Sequence, residues 1–331
     1  MRWIYPLLLH AASRVLALPF SGSIIRYRAS YNPRHDAALT AESGLILERV
    51  GPVLDGFWHT LYRSYRLEGW AGLYKGSMPV ILETLIIRGS LAFVKIHPAV
   101  PLVLIAAPQL AIPEAILFVF FYTLVELPMI VLTIRAITTP YKLCWSSPFQ
   151  ALDTLLSPAE RLRPYILYKT PGLFVATALR TAFPLFFLHF VFDLATRSFT
   201  QEVGLAVFSA AIVLYVMAFL ASTVLLTPLD VIVVRLALQR NRANSLELEP
   251  LEGEDDEGFG SESGVGSGRK RYSDTEDVLS LRNEYNRNRY MGFMDCFRTI
   301  LAEEGWSALF RAWWYPLVAQ VTTVMFYRAL R

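Results

Sequence analysis

Residues 205–226 make an uncharged, predominantly apolar run long enough to cross a bilayer. The run closes on Thr227-Pro228-Leu229-Asp230-Val231-Ile232-Val233-Val234-Arg235. A proline lacks the N–H, and its ring clashes with the carbonyl one turn back, so a kink is expected at Pro228. A carboxylate at that depth is too costly to leave against lipid, so Asp230 is expected to face protein or water.

The outline recurs. Pro19 precedes Arg26 by seven residues, Pro128 precedes Arg135 by seven, and Pro228 precedes Arg235 by seven. The prolines stand 109 and 100 residues apart, which reads as a threefold repeat of roughly 100 residues. At 54% hydrophobic and 18% charged, the 331 residues have a membrane composition.

A second motif supports the repeat. Glu68-Gly69-Trp70-Ala71-Gly72-Leu73-Tyr74-Lys75-Gly76 returns as Glu304-Gly305-Trp306-Ser307-Ala308-Leu309-Phe310-Arg311-Ala312, with alanine for the last glycine. Together the two motifs resemble the mitochondrial carrier family, whose repeats carry P-x-[DE]-x-x-[KR]-x-[KR] and E-G-x-x-G-[LF]-[YF]-[KR]-G. The resemblance implies an all-α membrane protein with six transmembrane helices in three tandem repeats and short surface helices. The repeats are drawn at 1–112, 113–202 and 203–331. The spans are expected at about 3–28, 78–96, 114–137, 172–197, 203–240 and 312–331. Met1-Arg2 before an apolar run has a leader-like outline, but Arg14 interrupts it, so span one is read as starting at the N-terminus.

Residues 56–66 read as a surface helix with Phe57, Leu61 and Tyr65 on one face. The second repeat is the worst preserved. Residues 149–156 stand for its surface helix, and of the glycine motif only Tyr168-Lys169 survives. Residues 98–113, punctuated by proline, fit no element. Residues 241–288 read as a disordered acidic insert, since 247–262 carries eight acids, no base and much Gly and Ser. Ser273 and Thr275, with acids just downstream, are candidate phosphoacceptors within it.

Other chemistries find no support. A net charge of +3 with few basic clusters gives no case for nucleic acid. Cys144 and Cys296 lack redox or metal spacing and are expected as free thiols. The five histidines have no ligand spacing, no catalytic constellation occurs, and no cofactor or metal is expected.

The family's exchangers close one gate with an acid two residues after each proline and a base three further on. Here those positions read Ser21, Ile130 and Asp230, then Ile24, Thr133 and Val233. One acid remains and no base, so the ring cannot close in that way. The even-helix gate is also depleted: Phe93-Val94, Phe192-Asp193 with Arg197, and Tyr327-Arg328. Charges remain at Glu83, Arg88, Glu126, Arg180, Asp193 and Asp230. Each costs about 2.5–3.5 kcal/mol to insert on biological scales unless paired or wet, so each is a candidate site. By resemblance Arg88 and Arg180, with Glu83 and Asp193, occupy a cavity that takes anionic solutes; structural pairing is the plainer role. Arg135 and Arg235 are expected to be structural, satisfied by snorkelling to headgroups, and Arg26 is the matching signature residue of the first repeat.

Degenerate gates on this plan are similar to the fungal outer-membrane carrier-like proteins of mitochondrial fusion. That branch implies a membrane adaptor engaging membrane lipids and fusion GTPases. The alternative is a solute carrier exchanging a small anionic metabolite or nucleotide by alternating access.

Overall fold

The structure is a computed structural model. It describes residues 4–33, 52–93, 112–143, 148–200, 205–240, 271–273, 276–282 and 289–320. The described residues are almost entirely helical and contain no strand beyond one isolated bridge, Tyr141 to Arg271.

The N-terminal stretch is two helices, α1 (Ile4–Leu16) and α2 (Leu18–Ala29), bent by 52°. The break falls at Ala17, not at Pro19 as the sequence predicts. Pro19 lies in the first turn of α2, where a missing N–H costs nothing; its ring stops the helix before it. The surface helix α3 (Phe57–Leu73) has a non-helical residue, Gly69, near its end. Next come α4 (Ser77–Phe93) and α5 (Ile112–Thr138), then the short α6 (Pro148–Leu155) and α7 (Pro158–Leu162). A 3-10 turn, Pro164–Lys169, leads to α8 (Leu173–Thr200) and α9 (Leu205–Leu238). The surface helices α10 (Phe293–Glu303) and α11 (Trp306–Leu309) follow, and the chain is helical again over 314–320. The rest of expected span six lies outside the described residues, as does most of the unplaced stretch 98–113.

Two stretches are long and apolar enough to cross a membrane, Ile116–Thr138 and Val216–Leu238, and a third if the bent α1–α2 pair counts as one. Pro128 and Pro228 lie inside α5 and α9 without ending them. Leu117, Phe121, Val216, Met217 and Leu225 are exposed along these helices, as an apolar solvent allows.

The core lies where the C-terminal halves of α2, α5 and α9 meet α8 and the surface helices. Leu127, Val131 and Ile134 of α5 pack with Val231–Ala237 of α9, Leu173 and Ala176 of α8, and Cys296, Ile300 and Leu309. Burying four consecutive residues, 231–234, means that α9 is enclosed all round at that level.

On α3 the buried residues are Phe57, Thr60, Ser64 and Glu68, with Leu61 partly buried against the Phe57 cluster; Tyr65, the third residue of the expected face, is exposed with Trp58 and Tyr62. The hydroxyls make this face tolerable. Thr60 donates to the Gly56 carbonyl and Ser64 to that of Thr60, each one turn back.

The expected disorder of 241–288 fails for 271–273 and 276–282. Val278 and Leu279 supply apolar area that the acidic part lacks, and they join the core. The remainder of that insert, Thr275 included, lies outside the described residues.

Candidate functional site

The same contact is built three times. Arg26 Nη2 lies 2.5 Å from Glu68 Oε2, Arg135 Nη1 lies 2.6 Å from Glu160 Oε2, and Arg235 Nη2 lies 2.7 Å from Glu304 Oε1. In each case an arginine from the end of a long helix takes a carboxylate from a surface helix. All six groups are buried, so each charge needs its partner.

The arginines also link the long helices in a cycle. Arg26 Nε donates to the Ile137 carbonyl at 3.0 Å, Arg135 Nε to that of Ala237 at 2.9 Å, and Arg235 Nε to that of Arg28 at 3.0 Å. Each acceptor sits two residues past the next arginine, so α2 holds α5, α5 holds α9 and α9 holds α2. These carbonyls belong to helix C-terminal turns, which lack intrahelical partners. Burial and ion pairing replace the snorkelling considered for Arg135 and Arg235.

A second cation joins in two cases. Lys75 pairs with Glu68, and Arg311 Nη2 with Glu304 Oε2 at 2.9 Å. Burial, helped by the adjacent Arg26 guanidinium, pushes Lys75 down to about 8 against the pull of Glu68. At Glu160 a helix cap supplies a further contact. The Ser157 N–H donates to the Glu160 Oε2 at 2.9 Å, and the Ser157 hydroxyl accepts from the Glu160 N–H, a capping box.

The loop that follows ends in a left-handed residue each time. Gly76 has φ 83°, Gly172 has φ 77° and Ala312 has φ 55°. Gly69 and Gly305, directly after their glutamates, also take positive φ. Gly72 is small for a different reason: a Cβ there would lie 2.1 Å from the Glu68 Cβ. Sequence reading missed Glu160 and Gly172. The Ser157-Pro158-Ala159-Glu160 box was the available signal, but the 3-10 turn lengthens the loop and breaks the motif's spacing.

Inside the bundle the remaining charges pair off. Asp230 sits between two arginines: Oδ2 is 2.8 Å from Arg28 Nη1, and Oδ1 is 2.8 Å from Arg180 Nε. Arg180 Nη1 is also 4.0 Å from Glu126 Oε1, and Thr181 donates to Glu126. Arg14 Nη2 is 3.2 Å from Glu83 Oε1. The bases on Asp230 therefore come from outside the three gate positions. Arg28, two residues past the motif arginine, reaches it from α2. The side chains of Arg88 and Asp193 lie outside the described residues, as does Tyr327-Arg328.

The other gate positions are apolar or uncharged. Ile24, Ile130 and Val233 are 1%, 8% and 2% exposed, and they pack among core residues. Thr133 is buried and its hydroxyl makes no hydrogen bond. No cluster of three metal-ligating side chains occurs among the described residues.

Residues 278–330 match the family model described as mitochondrial carrier protein. The match covers the third glutamate motif and the helix after it, well under half the chain. No curated protein and no solved structure matches.

Proposed function

We propose that this chain is a multi-pass mitochondrial membrane protein of the six-span, three-repeat carrier plan, working as an adaptor in mitochondrial fusion and membrane organisation. The observation behind this reading is the burial of Ile24, Ile130 and Val233 where an exchanger needs charges that part and re-form. Alternating access requires two states of similar energy, each held by its own contacts. Apolar side chains packed at the gate favour one state, and the threefold arginine cycle fastens the same end. A bundle held shut suits a scaffold that presents its surface helices to membrane lipids and to the fusion GTPases of an outer-membrane site. Deleting the gene is expected to fragment the mitochondrial network; a normal network in the deletant removes the reading.

Exchange of a small anionic solute is the second reading. Arg180 favours it, since it lies inside the bundle against the carboxylates of Asp230 and Glu126. Purified protein in liposomes separates the two. Saturable exchange of a labelled anion, lost in Arg180→Ala, establishes transport; no exchange supports the adaptor.

A further inference from the structure

The stretches 271–273 and 276–282 cross the end of the bundle where the arginine cycle sits. At one side the Tyr272 N–H donates to the Pro140 carbonyl at 3.2 Å, and Arg271 bridges to Tyr141, just past α5. At the other, the Tyr31 N–H donates to the Ser280 carbonyl at 2.9 Å and the Ser280 hydroxyl returns a bond to the Tyr31 carbonyl at 3.0 Å, just past α2. Between these ends Arg63 of α3 donates to Glu276 Oε2 at 3.0 Å and to the Asp277 carbonyl at 3.1 Å. Val278 and Leu279 bury beneath, and Arg282 makes a two-pronged pair with Glu303 of α10, both bonds 3.0 Å.

Tyr272 is the central element. Its ring lies 4.2 Å from Lys75 Nζ, the cation of the Glu68–Arg26 cluster, and 5.3 Å from Lys142 Nζ. A ring face over an ammonium both attracts it and excludes water from it. Lys75 is accordingly buried, though it lies at a turn between two helices.

We propose that residues 271–273 and 276–282 form a built-in strap. It fastens the ends of α2 and α5 to each other, covers Lys75, and is released when the Arg63 latch to Glu276 and Asp277 opens. The contacts are suited to release. Arg63 and Glu276 are partly exposed, so their pair contributes little by itself and is weakened by salt. A strap held by a few such contacts opens locally while the core stays folded. Because the strap lies on the chain itself, it stands whether the protein is adaptor or exchanger, and its test reads neither activity.

The test is amine acylation of the full-length protein in detergent, with modification of Lys75 followed by peptide mass spectrometry and exposed Lys169 as internal control. Wild-type Lys75 is expected to be protected. Tyr272→Ala is expected to raise its rate by about tenfold relative to Lys169, the scale of a desolvated cation–π contact, and Arg63→Glu by about two- to fivefold, the scale of a surface ion pair. The swap Arg63→Glu with Glu276→Arg is expected to restore protection. Cys296, in the core, guards against global unfolding and must stay unreactive to maleimide throughout. If Lys75 is as protected in the single variants as in wild type, Glu68 and the Thr139 carbonyl shield it unaided and no strap covers it. A gain at Lys75 that comes with a gain at Cys296 is unfolding of the whole, and also overturns the strap.

Discussion

Arg135 closes on Glu160 with both prongs, Nη1 to Oε2 at 2.6 Å and Nη2 to Oε1 at 3.0 Å, and both side chains are withdrawn from solvent. Breaking such a pair leaves a buried charge without its counter-charge, at about 3–5 kcal/mol, whereas replacing both partners by apolar groups is far less costly. Glu160→Gln is therefore expected to lower the thermal midpoint in detergent sharply, and Arg135→Met with Glu160→Leu to recover much of the loss. If the double variant is as unstable as the single one, the pair is not what holds α5 to α7.

The three left-handed residues after the glutamates differ in what surrounds them. Ala312 carries a Cβ at φ 55°. A left-handed conformation costs a non-glycine residue about 1–2 kcal/mol, offset in part by the larger unfolded-state entropy of glycine. Ala312→Gly is expected to stabilise by roughly 0.5–1 kcal/mol. Gly172→Ala is expected to be the most damaging change of the set, because its Cβ would lie 2.1 Å from the Phe293 backbone nitrogen. Gly76→Ala should fall between, since its Cβ would meet the Ile137 side chain at 3.0 Å and the Thr133 carbonyl oxygen at an ordinary 3.5 Å. Thermal midpoints of the three variants in one detergent test the order.

Cys296 is enclosed by the core, and burial pushes its thiol up to about 12 from an ordinary value near 9. The thiolate is the reactive form. With Cys144 replaced by serine, alkylation of the folded protein should stay slow from pH 7 to 9, where an open thiol speeds up. The linkage has a definite sign. Above about pH 9 the unfolded chain loses this proton and the folded chain keeps it, so the Cys296 contribution to stability falls as pH rises. Cys296→Ala removes that dependence. A folded protein alkylated faster at pH 9 in step with a free thiol contradicts the burial.

The legible part of the sequence was the part with fixed spacing. Pro19, Pro128 and Pro228 gave the long helices, and Glu68 and Glu304 marked two carboxylates by the glycines after them. Glu160 was hidden because the motif's base is absent from the sequence: residue 167, where Lys75 and Arg311 would predict a base, is leucine. The cyclic bonds could not be read at all. Their acceptors are backbone carbonyls, which leave no mark in side-chain identity. The strap was obscured by its acidic neighbours in the insert. The composition of 247–262 is that of a chain unable to fold, yet Tyr272, Val278 and Leu279 give the later residues something to bury.

Asp230 is the shared partner inside the bundle, and the two arginines on it differ in what else they hold. Arg28 also donates to the Arg311 and Ala312 carbonyls and lies 5.7 Å from the Tyr315 ring. Arg180 has Glu126 at 4.0 Å. Removing Arg180 leaves Asp230 still bonded to Arg28, so Arg180→Ala is expected to cost roughly 1.5–3 kcal/mol, the scale of one charged hydrogen bond. Asp230→Asn removes the counter-charge from two guanidiniums at once and is expected to cost about 3–5 kcal/mol or more. The order is the prediction, read from thermal midpoints of the two variants in the same detergent. If Arg180→Ala proves the more damaging, Arg180 and not Asp230 is the centre of the interior network.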